Sequence, residues 1–97
     1  MEHTEDCRTI EELRLFVHET LCARENLLPD QFGLKESRLT RGGRLCGLQF
    51  SVDGPRSVRL AAIWTEDHNV VYFYDARGNR YLKVRLTQRL EDVPSAA

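Results

Sequence analysis

Two periodicities divide this chain. From Ile10 to about Glu25, apolar residues recur every third or fourth position, and from Arg38 onward they recur every second. At 100° per residue, Ile10, Leu13, Val17 and Leu21 fall on one stripe with Phe16 at its edge, as in a helix with one buried face. Thr9-Ile10-Glu11-Glu12 supplies a capping box. In it the Thr9 hydroxyl accepts the Glu12 N–H and the Glu12 carboxylate reaches back to Thr9. Both acids suit the positive end of the helix dipole. Asn26 is the expected C-terminal cap, and Pro29 blocks any continuation.

Residues 27–37 read as a connector pinned down by Leu28, Phe32 and Leu34. Strand-like segments follow. Arg38 to Arg41 reads as a short edge strand, and Gly42-Gly43 as its hairpin turn. Alternation then marks Cys46 to Val52, Val58 to Trp64, Val70 to Tyr74 and Tyr81 to Leu86. Asp53-Gly54-Pro55, residues 66–69 and residues 75–79 carry turn chemistry between them. Short turns between successive strands imply an antiparallel meander. The expected fold is therefore α+β, with one N-terminal helix packed in two layers on an antiparallel sheet of four to five strands. One domain is expected over residues 1–97, with 1–8 and 90–97 as loosely ordered tails.

Strand alternation assigns two faces. Cys46, Leu48, Phe50 and Val52, with Val58, Leu60, Ala62 and Trp64, belong to the face under the helix. Val71 and Phe73 join them, as do Leu82, Val84 and Leu86. The opposite face collects Gln49 and Ser51 from one strand and Arg59, Ala61 and Ile63 from the next. It gains Val70, Tyr72 and Tyr74, then Tyr81, Lys83 and Arg85. This second face is polar at its margins but apolar or aromatic in the middle. The segment Val70-Val71-Tyr72-Phe73-Tyr74 is the source of the anomaly, because every residue in it favours a strand and neither side of it is polar. A single helix covers only one face, which leaves the other exposed or partnered.

Charge sharpens this picture. The net charge is −1, but residues 1–37 hold nine acids and four bases, whereas residues 38–97 hold six acids and ten bases. Twelve of the fourteen bases are arginine, which favours planar contacts with carboxylates or phosphates and is also enriched by GC-rich coding. No apolar run approaches the roughly 20 residues that span a bilayer. The acidic start Met1-Glu2-His3-Thr4-Glu5-Asp6 lacks the basic and apolar regions of a secretory signal. Three widely spaced cysteines, Cys7, Cys22 and Cys46, do not form a disulfide framework. A cytoplasmic location is the expectation.

Candidate chemistry is sparse. His18 and Cys22 have a helical i,i+4 spacing, but zinc needs more ligands, and the other such pair, His3 and Cys7, lies in the expected tail. Cys22 with Leu15 reads instead as a minor apolar flank of the helix. Cys46 and His68 offer a nucleophile and a base, yet Cys46 falls on the core set, where a thiol is inert. Arg41-Gly42-Gly43-Arg44 could hold an anion with its N–H groups and guanidiniums, although a plain hairpin explains the glycines better. Glu66, Asp67, Asp53 and Asp75 read as turn residues. The acidic helix side, Glu11, Glu12, Glu19 and Glu25, reads as a solvated face that could also meet the arginine-rich half of another molecule.

No catalytic residue, metal site or cofactor is expected. The expected function is non-catalytic protein binding, with homodimerisation through the second sheet face, centred on Arg59, Ile63, Val70, Tyr72, Tyr74, Tyr81, Lys83 and Arg85. The alternative is a single-stranded nucleic-acid module on the same face, since bases stack on tyrosines while cations hold the backbone.

Overall fold

The computed structural model describes residues 2–93, with Glu2 traced as backbone. The elements in chain order are β1 (Glu2–Glu5), α1 (Ile10–Arg24), β2 (Leu34–Arg41), β3 (Arg44–Asp53), β4 (Arg59–Thr65), β5 (Val70–Tyr74) and β6 (Arg80–Leu86). The six strands form one sheet in the order β1-β6-β5-β4-β3-β2. The contacts from β2 to β6 are antiparallel, and β1 joins β6 in parallel. The two-layer α+β arrangement stands as expected, with a sheet slightly larger than the four to five strands read from the sequence.

Topology fixes the position of the helix. β1 and β2 lie at opposite edges, so the chain between them must cross the whole sheet. Six strands are about 24 Å wide at ~4.8 Å spacing. A helix of 15 residues is about 22 Å long at 1.5 Å per residue. α1 thus makes the crossing on one face and buries Ile10, Leu13, Val17, Leu21 and Cys22. Beneath it lie Leu48, Phe50, Val52, Leu60, Ala62 and Trp64, all buried. Phe73 completes the core, with the Phe16 ring edge-on to it at 5.9 Å.

Both helix ends are chemically closed. At the start the Thr9 hydroxyl accepts the Glu12 N–H at 3.1 Å. The Glu12 carboxylate takes the Arg8 N–H at 2.8 Å, one residue upstream of the expected Thr9. The Asp92 carboxylate accepts the Ile10 N–H at 2.9 Å, placing a negative group at the positive end of the dipole. At the far end Asn26 adopts φ 57°. Asn26 N–H then bonds the Ala23 carbonyl and Leu27 N–H the Cys22 carbonyl, the paired closure of a Schellman turn.

The two tails are a correction to the sequence reading. Residues 2–5 form a strand, Cys7 and Leu90 are buried, and the two ends are stitched together. Thr87 N–H bonds the Glu5 carbonyl at 3.0 Å and Glu91 N–H the Arg8 carbonyl at 2.7 Å. The stitching rests on backbone groups that no side-chain pattern reports. Residues 94–97 of the expected tail lie outside the described residues. The expected edge strand at Arg38 also starts earlier, at Leu34, so half of it comes from the presumed connector.

Two β-bulges correct the face assignment. Leu39 pairs with Gly47 but Thr40 pairs with Leu45, leaving Cys46 as the extra residue. Cys46 is consequently exposed, and Leu45 packs against the core. The second irregularity, between Phe73 and Tyr74, leaves Tyr81 without a direct partner. Tyr81 turns to the helix side, tilted against Phe73 at 6.3 Å and lying under the Arg24 guanidinium. A bulge adds one residue and so reverses the inward-outward parity beyond it.

Gly47, beside the first bulge, is there for space. A Cβ on it would collide with the Trp64 carbonyl oxygen. Gly47→Ala is therefore expected to cost about 3 kcal/mol or more through backbone displacement. Urea unfolding monitored at Trp64 checks this, and an unchanged midpoint would contradict the packing described.

Candidate functional site

Direct cross-strand partners share a face, so the register lays out the helix-free side row by row. One row runs Ser37, Gln49, Ile63, Tyr72, Lys83. The next runs Lys35, Ser51, Ala61, Tyr74, Arg80. On the other side of the first row lie Leu39, Gly47, Thr65, Val70 and Arg85. Ala61, Ile63, Tyr72 and Tyr74 are half-buried and occupy the middle of the face. No described element of the chain crosses above them. Polar Ser37, Gln49 and Ser51 flank this patch on the β2–β3 side, and Arg80, Lys83 and Arg85 flank it on β6.

The cations differ in their engagement. Arg80 lies over the Tyr72 ring with its guanidinium carbon 4.7 Å from the centroid, a cation–π contact. Arg59 Nε donates to Asp53 at 2.9 Å, and Lys35 Nζ donates to the other oxygen of Asp53 at 2.6 Å. The Lys35 hydrogen bond, followed by that of Arg59, holds the Asp53 carboxyl below its ordinary value. Asp53 is thus a shared counter-ion, and Arg59 belongs to a corner network that closes on itself.

Of the eight residues expected on this face, the structure brings together Arg59, Ile63, Tyr72, Tyr74, Lys83 and Arg85. Val70 belongs to the same side but is 1 % exposed, set between Thr65 and Arg85 in the ladder. Tyr81 leaves the face because of its bulge, and burial raises its phenol pKa. Arg80 and Leu39 are members that parity alone missed. Both lie beside a bulge, so the register is what reveals them.

Elsewhere the candidates separate. Arg41 and Arg44 are direct partners flanking Gly42 (φ +58°) and Gly43 (φ +80°), all four exposed. Those left-handed angles account for the glycines as hairpin residues. The Cys46 thiol donates to the Leu39 carbonyl at 3.2 Å, while exposed His68 sits in the β4–β5 turn beside Asp67. His18 Nε2–H donates to the Phe32 carbonyl at 2.6 Å, tying the connector to the helix, and Cys22 is buried. Among the described residues no group of three or more His, Cys, Asp or Glu side chains is placed to hold a metal ion. No described helix is long and apolar enough to cross a membrane.

Comparison with protein-family models, curated proteins and solved structures gave no match.

The three thiols are predicted to behave differently. Exposed Cys46 should react at once with a thiol reagent at pH 8, whereas buried Cys7 and Cys22 should react only on unfolding. Burial, with Glu5, Glu12 and Asp6 nearby, raises the Cys7 pKa from 9.0 to about 11. Between those values the unfolded state binds fewer protons than the folded one, so stability should fall as pH rises through that window. Thiol counting in native and denatured protein checks the first point, with more than one fast native thiol contradicting it. Unfolding midpoints at pH 8 and pH 10 check the second.

Proposed function

We propose that this chain is a non-catalytic binding domain whose helix-free sheet face associates with protein, in the first instance with further copies of itself. One observation carries the reading. The middle of that face is apolar and aromatic, formed by Ala61, Ile63, Tyr72 and Tyr74, yet α1, the one α-helix among the described residues, lies on the other side. Interface centres are enriched in tyrosine, with arginine at and around them. Tyr72 is held in position by its strand neighbours Ile63 and Lys83 and by the Arg80 guanidinium. A side chain already ordered gives up little further freedom on binding. A cytoplasmic location suits the three unpaired cysteines.

The rival ligand is a single nucleic-acid strand. It would need a free tyrosine face for base stacking, and Arg80 already occupies one face of Tyr72. Arg59 is likewise neutralised by Asp53. Those two contacts favour protein over nucleic acid.

The patch is small, so the association should be weak, with Kd on the order of micromolar or above. Sedimentation equilibrium over rising concentration is expected to show reversible association by the wild type and none by Tyr72→Ser. A wild type that stays monomeric at the highest attainable concentration would exclude self-association, and identical behaviour of Tyr72→Ser would exclude this face.

A further inference from the structure

We propose that the free edge of β2 takes up an extended, acidic peptide segment of another protein as a further strand of the sheet. This surface is separate from the helix-free face and does not rest on it. β2 runs for eight residues at one edge of the sheet. It contains no proline and is exposed over most of its length. Such an edge is a template for another strand unless something blunts it.

The ladder fixes which backbone groups are on offer. Leu86 N–H bonds the Asn69 carbonyl at 3.0 Å, and Glu66 N–H bonds the Cys46 carbonyl at 2.9 Å. Bonded and non-bonded positions alternate along an antiparallel pair. Counted through the register from either bond, Lys35, Ser37 and Leu39 bond toward β3. Leu34, Glu36, Arg38 and Thr40 therefore turn their N–H and C=O groups to the open edge. An extended backbone matches donors and acceptors at that two-residue spacing, which is how strand addition binds peptides.

Side chains define the chemistry of the segment. Leu34, Glu36 and Arg38 pair with Val52, Phe50 and Leu48, so they lie on the helix side. A groove of about 420 Å³ runs along Leu34 and Glu36, walled by Glu11, Arg14, Leu15 and His18 of α1. Its polar groups are already engaged, because Arg14 binds Glu11 and Glu36, and His18 donates to the Phe32 carbonyl. What the groove leaves open is apolar, with Leu15 56 % exposed beside Leu34. Farther along β2 stand Arg38 and Arg41, both exposed, and neither forms an ion pair among the described residues.

Charge selects a foreign strand over a second copy. β2 holds three bases and one acid. That acid, Glu36, is gripped by Arg14 through both oxygens, at 2.6 and 3.1 Å. A second β2 would repeat the positive excess, and like charges opposed across strands are destabilising. The fitting segment runs antiparallel to β2. It carries carboxylates opposite Arg41 and Arg38, then apolar side chains opposite Glu36 and Leu34, over the groove.

An end-blocked peptide with that pattern, Glu-Thr-Thr-Glu-Thr-Val-Thr-Leu, is the probe, titrated into the ¹⁵N-labelled full chain. Amide shifts are expected along residues 34–41 and at Leu15, equally in wild type and in Tyr72→Ser. N-methylation of the valine, whose N–H faces β2, should weaken binding about tenfold. N-methylation of the threonine before it, whose N–H faces away, should leave binding unchanged. Arg38→Glu, at an exposed position, should weaken this peptide and favour the version with both glutamates replaced by lysine. No shift along β2 at millimolar peptide would overturn the proposal, as would shifts centred on Tyr72 or equal weakening by the two methyl groups. Binding unaffected by Arg38→Glu would overturn the acidic character assigned to the segment.

Discussion

One fifteen-residue helix has to shield a six-stranded sheet, and it can shield only one side. That constraint organises the molecule. On the covered side it produces the core around Phe50, Trp64 and Phe73, with Leu13, Val17 and Leu21 pressing down from α1. On the other side it leaves Ile63, Tyr72 and Tyr74 over the same central strands with no described element above them. The ends of the chain answer the same need. A helix that crosses the sheet from edge to edge must be held at both limits. Asp92, Glu12 and Thr9 close its start, the Asn26 turn closes its end, and His18 fastens the connector that follows. Asn69 adds a lock at the rim, accepting the Trp64 indole N–H at 3.0 Å and donating to the Gln88 carbonyl at 2.8 Å.

Much of this was readable in the sequence, and the failures have common physical causes. The helix, its caps and the strand alternation follow from local chemistry, so Thr9, Asn26 and the split of Val71 and Phe73 from Tyr72 and Tyr74 came through. β1 did not, because Glu2 to Glu5 has no apolar alternation and pairs with β6 through its backbone. Cys46 and Tyr81 were placed on the wrong sides because parity counting assumes an unbroken ladder, and each sits at a bulge. Gly47 beside Cys46 was a usable signal, since a glycine inside an alternating strand marks a bulge or a close backbone approach. No comparable signal precedes Tyr81. Val70 is buried although it shares a row with Thr65 and Arg85, a placement that only the register identifies.

The charge asymmetry along the sequence becomes a spatial one in the fold. The acid-rich first third supplies α1 together with β1 and the first half of β2, and the arginine-rich remainder supplies the rest of the sheet. Stacked in two layers, they give the domain an acidic outer helix and a basic-rimmed outer sheet face. With the net charge close to zero, little overall repulsion keeps copies apart.

The most direct test of this account is residue-resolved. Amide spectra of the ¹⁵N-labelled chain recorded through a dilution series report which surfaces change environment as copies separate. The account predicts shifting signals at Ile63, Tyr72, Tyr74 and Lys83, moving with a single concentration dependence. Shifts confined to residues outside the sheet face, or spectra that do not change with concentration, would contradict it.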